Sequence, residues 1–146
     1  MKRTVMAMGL TLAIAVSAPH AQGQETGSAP PVKLQETITP LFKSDLPNVP
    51  GKALLAAEVS FPPGAASPPH RHPKSAFIYA YVLSGEIISA VGDEPPRLYR
   101  AGESWHEDPG AHHTITRNAS KEKPAKLLVI FVADPGERQL VVPDHP

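Results

Sequence analysis

Cysteine is absent from this sequence of 146 residues. The chain therefore has no disulfide bonds, no thiolate metal ligands and no cysteine nucleophile, and any metal must be held by nitrogen and oxygen atoms. An excess of charge of one sign is also lacking, because 14 Lys and Arg residues balance 14 Asp and Glu residues. Nucleic acids and anionic membranes attract basic surfaces, so we expect neither as a partner.

No apolar run reaches the roughly 20 residues that a membrane-spanning helix needs. The longest, Thr4 to Ala18, follows the basic residues Lys2 and Arg3 and precedes a region of small and helix-breaking residues that ends at Gly23. This layout is typical of a secretory signal peptide. We expect residues 1–23 to be removed, which leaves 12 basic and 14 acidic residues, a net charge of −2. The mature protein is then periplasmic or secreted and has no stable membrane anchor.

Helical patterns are scarce as well. Eighteen prolines are too many for a helical bundle, and most lie between short apolar runs. Strands are predicted at Val32–Thr39, Ala53–Phe61, Phe77–Leu83, Glu86–Val91, Arg97–Arg100, Ser104–Glu107, His113–Asn118 and Lys126–Val132. Strands this short, without βαβ alternation, predict an all-β sandwich or small antiparallel β-barrel.

The domain organisation follows from the same pattern. Residues 24–31 are rich in Gly, Ser and Pro and are predicted to form a flexible lead-in after the signal peptide. Residues 32–134 form a single predicted domain, in which Pro40 to Gly51 is a loop because it holds three prolines and a glycine. Residues 135–146 are predicted to be an extended C-terminal tail that pairs at a sheet edge.

Histidines cluster in the middle of the sequence, since five of the seven lie from His70 to His113. His70 and His72 are two residues apart, so an extended chain directs both imidazoles to one face. Two neutral imidazoles that converge on one space are half of a metal site. His112 and His113 are adjacent, so only one of them faces inward on a strand, and the other lies at the rim.

Two motifs in this sequence resemble those of the cupin superfamily. Residues 64–72 (GAASPPHRH), followed by Tyr81–Gly85 (YVLSG), are similar to the first cupin motif. Gly102, followed by Pro109–His113 (PGAHH) and Asn118, is similar to the second. The resemblance extends over about residues 32–132.

The cupin resemblance implies a small, jelly-roll-like antiparallel β-barrel of one domain. Within it, His70, His72 and His113 bind one divalent transition metal. Iron, manganese, nickel, copper and zinc all suit such a site, and the residues do not select among them. The resemblance also implies a bacterial protein and a homodimer, in which an N-terminal strand such as Val32–Thr39 supplies the paired edge.

This sequence departs from most cupins at the acidic ligand. A glutamate usually follows His-x-His by a few residues, but here those positions are Ala76 to Ile78. Glu107 is the best substitute, as a further ligand or a general base, because it lies just before the turn that leads to His113; capping that turn is its alternative role. His106 is the other candidate base, and on a regular strand only one of these two neighbours faces the pocket.

Aromatic residues are few, and four of them lie in the strands around the two motifs. Phe77, Tyr79, Tyr81 and Trp105 are expected to pack into the core and to line the pocket, because aromatic side chains commonly fill small barrels.

Three neutral histidines leave a metal positively charged, with open positions that suit a bidentate oxygen ligand beside O₂. The first functional hypothesis is therefore an exported dioxygenase-like enzyme, similar to quercetinase-type (cupin type-2) and diketone-cleaving cupins. The second is a cupin that binds a small ligand or metal and catalyses nothing. The third is a metal-independent isomerase with a histidine base, although few basic residues near the motifs, such as Arg71 and Arg117, could hold a nucleotide phosphate.

Overall fold

The computed structural model describes residues 34–144. The predicted signal peptide, residues 1–23, and the predicted lead-in, residues 24–31, lie outside the described residues. No residue in the described part is helical. Accordingly, the part from residue 34 to residue 144 holds no helix that is long and apolar enough to cross a membrane.

Eleven strands follow one another along the described chain. In order, they are β1 (Thr37–Asp45), β2 (Ala53–Phe61), β3 (Ala66–Ser67), β4 (His70–Arg71), β5 (Phe77–Ser84), β6 (Glu86–Val91), β7 (Arg97–Arg100), β8 (Ser104–Glu107), β9 (His112–Asn118), β10 (Ala125–Ala133) and β11 (Val142–Pro143). The strands predicted from residue 53 onward are all present.

These strands form two antiparallel sheets. One has the order β1-β2-β10-β5-β8 and the other β11-β4-β9-β6-β7, with β3 paired to β9. Side chains from both sheets share one buried core, which includes Phe61 of β2, Ile87 of β6 and Trp105 of β8. Full burial of an apolar side chain of this size contributes about 1.5–3 kcal/mol to the free energy of unfolding. The predicted all-β antiparallel fold is confirmed, although the two sheets are not closed into one continuous barrel.

Strand β1 corrects the prediction of a loop over Pro40 to Gly51. The strand continues through Pro40 to Asp45 and pairs with β2 along its whole length. A proline is compatible with β1 because β1 is an edge strand. No strand lies on its open side, so a missing N–H there costs no hydrogen bond between strands. The register with β2 shifts between Pro40 and Phe42, which absorbs the irregularity.

Strand β5 corrects the prediction for three of the four aromatic residues. Its buried positions are Ile78, Ala80 and Val82, whereas Phe77 and Tyr79 are each 38% exposed. Because side chains alternate along a strand, Tyr81 also lies on the outer face, where its hydroxyl needs no buried partner. These three aromatic residues therefore do not line the interior pocket.

Asn118 at the end of β9 holds a neighbouring loop in place. Its Nδ2 lies 3.2, 3.1 and 2.8 Å from the carbonyl oxygens of Phe61, Pro62 and Lys123, and its Oδ1 accepts a hydrogen bond from the Ser120 amide. The motif asparagine is thus a structural residue of the strand end.

The C-terminal tail packs onto the sheet that carries the histidines. Its strand β11 pairs with β4, opposite His70 and Arg71, so the predicted edge pairing of the tail is confirmed. The segment just before β11 also reaches the site, because the carbonyl oxygen of Leu140 lies 2.6 Å from Nδ1 of His72.

Candidate metal centre

The two sheet segments β4 and β9 bring the three predicted histidine ligands together. His70 on β4 is the Cα partner of His113 on β9, and His72 follows directly after β4. All three side chains are buried, and one nitrogen atom from each lies within 4.8 Å of the others. His112 points the other way, as predicted, and its Nε2 lies 2.6 Å from Asp144.

Each of the three imidazoles is oriented through one of its ring nitrogens. Nδ1 of His70 lies 2.9 Å from the Pro68 carbonyl oxygen, and Nδ1 of His72 lies 2.6 Å from that of Leu140. A carbonyl oxygen only accepts hydrogen bonds, so in the neutral form of each ring Nδ1 carries the proton and Nε2 keeps its lone pair. These are the neutral tautomers that bind metals.

The third imidazole is held by two hydroxyl groups. Nε2 of His113 lies 2.9 Å from Oγ of Ser89 and 2.6 Å from Oγ1 of Thr116, and both of these residues are buried. Nδ1 of His113 therefore faces the cavity, where it lies 3.1 Å from Glu107.

Glu107 on β8 is the acidic group of this cluster. It is 2% exposed, and its two carboxylate oxygens lie 3.1 Å from Nδ1 of His113 and 3.2 Å from Nε2 of His72. Nε1 of Trp105 donates a hydrogen bond of 3.1 Å to Oε1. The other oxygen, Oε2, has no aligned hydrogen-bond donor among the described residues. Glu107 thus faces the histidines and does not cap the following turn.

Electrostatics keep this carboxylate ionised and His70 neutral. Burial acts to raise the pKa of Glu107, but the contacts with His113 and His72 outweigh burial and hold that pKa well below its usual range. Burial lowers the pKa of His70, and the opposing effect of the Pro68 carbonyl is smaller. Neutral imidazole and ionised carboxylate are the forms in which both side chains bind a metal.

His106 does not belong to the cluster. Its side chain is exposed and stacks on Phe77 at the outer surface, with a distance of 5.6 Å between the ring centroids. His106 therefore lies outside the histidine cluster, because strand alternation gives the inward position to Glu107.

The described residues fit a divalent transition metal. One nitrogen atom from each of the three imidazoles faces one space, and the Glu107 carboxylate, whose Oε2 has no aligned donor among the described residues, completes the set. Zinc, iron, manganese, nickel and copper accept such mixed nitrogen and oxygen ligands. This donor set supports the prediction of a metal cofactor without selecting the metal.

A small cavity of about 70 Å³ adjoins the cluster. Its walls are mostly apolar and include Trp105, Ile78 and Phe131. Of the four predicted pocket-lining aromatic residues, only Trp105 contributes to it. Trp105 also borders a wider surface groove of about 950 Å³, so it lines both spaces. The cavity has room for a few water molecules or a ligand of a few atoms.

Sequence reasoning missed three polar residues around the site. Ser89 and Thr116 hold His113, and Glu36, just before β1, lines the cavity. The signal for Ser89 is a polar residue at an inward position of an otherwise apolar strand, whereas Thr116 lies among other buried polar residues of β9 and gave no such signal. Glu36 carried no such signal, because its position depends on the path of the chain before β1.

Comparison with known proteins places these features in a family. The sequence model of the cupin domain matches residues 57–131, about half of the chain. No curated protein matches the sequence.

Among solved structures, TT1209 from Thermus thermophilus is 29% identical with a TM-score of 0.56, over 69% of this chain and 86% of that one. An oxalate oxidase in complex with the substrate analogue glycolate is 28% identical with a TM-score of 0.55, over 70% of this chain and 54% of that one. The DMSP lyase DddQ from Ruegeria pomeroyi DSS-3 is 29% identical with a TM-score of 0.51, over 58% of this chain and 41% of that one. The matches span about half of these two enzymes' lengths. By its sequence match, its two antiparallel sheets and its three-histidine cluster, this chain belongs to the cupin domain family.

Proposed function

We propose that this protein is an exported metal-dependent enzyme of dioxygenase-like type, which acts on a small anion with two oxygen donors. The observation that carries the proposal is the convergence of the three imidazoles and the carboxylate of Glu107 on one buried space. His70, His72 and His113 are the residues that would hold the metal. When bound, a divalent metal supplies Lewis-acid activation of a substrate oxygen and a site for O₂.

The other residues of the site have separate tasks in this proposal. The Oε2 atom of Glu107, which lacks an aligned donor among the described residues, is placed to accept a hydrogen bond from a bound ligand. Trp105 donates a hydrogen bond to the other oxygen of that carboxylate and lines both the cavity and the surface groove. The apolar part of the cavity wall lowers the local polarity, which strengthens the electrostatic interactions inside.

The size of the cavity narrows the substrate class. A space of about 70 Å³ accommodates a ligand of two or three carbons, whereas drug-sized ligands occupy roughly 300–1,000 Å³. A flavonol, the substrate type of quercetinase-like cupins, is therefore too large for this cavity. The structurally similar oxalate oxidase binds glycolate, a two-carbon acid, which agrees with a small substrate here.

Oxygen consumption by the metal-loaded protein tests the proposed activity. The protein is loaded in turn with Fe²⁺, Mn²⁺, Ni²⁺, Cu²⁺ or Zn²⁺ and supplied with glycolate, oxalate, pyruvate or a flavonol. Uptake is expected with at least one two- or three-carbon acid and a redox-active metal, and not with the flavonol. Uptake with none of the acids, despite stoichiometric metal, would favour the non-catalytic binding protein instead.

A homodimer through β1 is part of the same proposal. Every residue of β1 is exposed, and Ile38, Leu41 and Phe42 are each more than half exposed at an unpaired sheet edge. A second copy of β1 would cover these apolar side chains and pair the open edge. Light scattering at micromolar concentration is expected to give twice the chain mass, and Phe42→Asp to give the monomer. A monomeric wild type would contradict the proposed dimer.

A further inference from the structure

Glu36 is the second carboxylate of the cavity. It lies just before β1 and lines the same space as the three histidines and Glu107. Ile38, two residues further along, also borders that space but is 51% exposed, so this segment runs along the edge of the cavity. Among the described residues, Glu36 and Glu107 are the two acidic residues that line this cavity.

The two carboxylates differ in their partners. Glu107 contacts Trp105, His72 and His113. Oε2 of Glu36 is shielded from solvent, and no group in residues 34–144 donates a hydrogen bond to it. A buried acceptor without a donor is unfavourable, and a ligand that supplies the donor removes that penalty.

We propose that Glu36 selects the ligand of this site, in favour of small α-hydroxy carboxylates. The hydroxyl group of such a ligand donates a hydrogen bond to the Glu36 carboxylate, while its own carboxylate and hydroxyl oxygens supply the two donor atoms. A dicarboxylate such as oxalate brings a second negative charge and no hydrogen-bond donor, so Glu36 disfavours it. This inference rests on the proposed function, since it assumes that the ligand binds beside the metal.

The test compares glycolate with oxalate in Zn²⁺-loaded protein, since zinc has no redox chemistry and neither acid is turned over. The dissociation constants of both acids are measured by calorimetry for the wild type and for Glu36→Gln, which keeps the shape of the side chain but removes its charge. The intrinsic preference of zinc for either acid cancels when the ratio of the two constants is compared between the proteins. The matched control is Glu122→Gln, at an exposed position between β9 and β10.

Glu36→Gln is expected to shift the ratio toward oxalate by about tenfold to a hundredfold, and Glu122→Gln to leave it unchanged. The affinity for Zn²⁺ is expected to stay within about threefold of the wild type, because Glu36 faces the ligand. An unchanged ratio overturns the inference about Glu36 alone. A tenfold loss of Zn²⁺ affinity also overturns it, since Glu36 would then be a metal ligand. Failure of the wild type to bind Zn²⁺ overturns the proposed function as well, so the failures are distinguishable.

A second variant covers the case in which Glu36→Gln does not fold. Glu36→Asp keeps the charge but withdraws the carboxylate by one methylene. It is expected to weaken glycolate binding by about tenfold and to leave oxalate binding unchanged. Equal weakening of both acids would overturn the inference.

Discussion

Nε1 of Trp105 donates a hydrogen bond of 3.1 Å to Oε1 of Glu107, two residues further along the same strand. Because residues two apart share a face of a strand, the indole and the carboxylate both point into the cavity. The ring of Trp105 also packs on Tyr99 and on His113, with centroid distances of 4.7 and 6.1 Å. Trp105 therefore fixes both the direction of the acidic group and the wall beside it.

Trp105→Phe tests this orientation, because it keeps an aromatic ring and removes the N–H donor. The affinity for the metal is expected to fall by about tenfold, since groups that orient metal ligands typically contribute ten- to a hundredfold. Tyr99→Leu is the control, because it removes the ring that packs on Trp105 and leaves the N–H donor of Trp105 in place. Equal losses in both variants would mean that packing, and not the hydrogen bond, is responsible.

The free energy of unfolding of the metal-free protein is expected to fall as the pH drops below about 6.5. Burial lowers the pKa of folded His70 below its ordinary value of 6.5, so the unfolded chain takes up the proton first. The stability contributed by His70 is present above pH 6.5 and is lost as the pH falls toward the folded pKa. Glu107, whose folded pKa is lowered from 4.5, adds a further loss below about pH 4.5. Urea titrations between pH 8 and pH 4 measure this dependence.

In that series, His70→Gln is expected to flatten the slope between pH 6.5 and pH 5. A wild-type stability that is constant or rises as the pH falls through this range would contradict the neutral, buried state of His70.

Gly85 and Gly64 form a matched pair for testing the first motif. Both have positive φ angles, of 74° and 73°, but an added Cβ at Gly85 would lie 2.6 Å from the Pro124 carbonyl oxygen, whereas at Gly64 it would meet nothing within 4 Å. Gly64→Ala is expected to lower the free energy of unfolding by about 1 kcal/mol through backbone strain alone. Gly85→Ala is expected to cost about 2 kcal/mol more, because backbone atoms must also move. If urea denaturation gave similar losses of unfolding free energy for both variants, the close approach at Gly85 would make no contribution to the cost of the substitution.

Asn118→Ala is expected to lower the free energy of unfolding by about 2 kcal/mol without changing metal affinity. The substitution leaves three carbonyl oxygens and one amide without their partner at the end of β9. Thermal unfolding and metal titration of the same sample separate the two effects. A loss of metal affinity at unchanged stability would contradict the structural role of Asn118.

Local patterns in the sequence were sufficient to predict most of the strands and the histidine cluster. The spacing of His70 and His72 is enough to place them on one face, and the turn at Pro109-Gly110 brings in His113 from a neighbouring strand. The choice between His106 and Glu107 needed the register of β8 against β5, in which Ile78 faces Glu107. That register depends on long-range pairing, which no local pattern specifies.

Three other features also depended on tertiary structure. Alternation along β5 allows its aromatic residues to face either the core or the outer surface. Only the packing of Ile78 and Val82 into the core decides that the aromatic residues face outward. Pro40 marks a loop in most contexts, but the edge position of β1 makes it compatible with a strand. The position of Glu36 in the cavity wall likewise depends on where the chain enters β1.

The metal content of the purified protein tests the central claim most directly. Mass spectrometric elemental analysis of the wild type, purified without added metal, is expected to find about one divalent transition metal per chain. His113→Ala, which removes the ligand held by Ser89 and Thr116, is expected to contain less than about a tenth of that amount. A wild type without transition metal, or a variant that retains the full amount, would contradict the account.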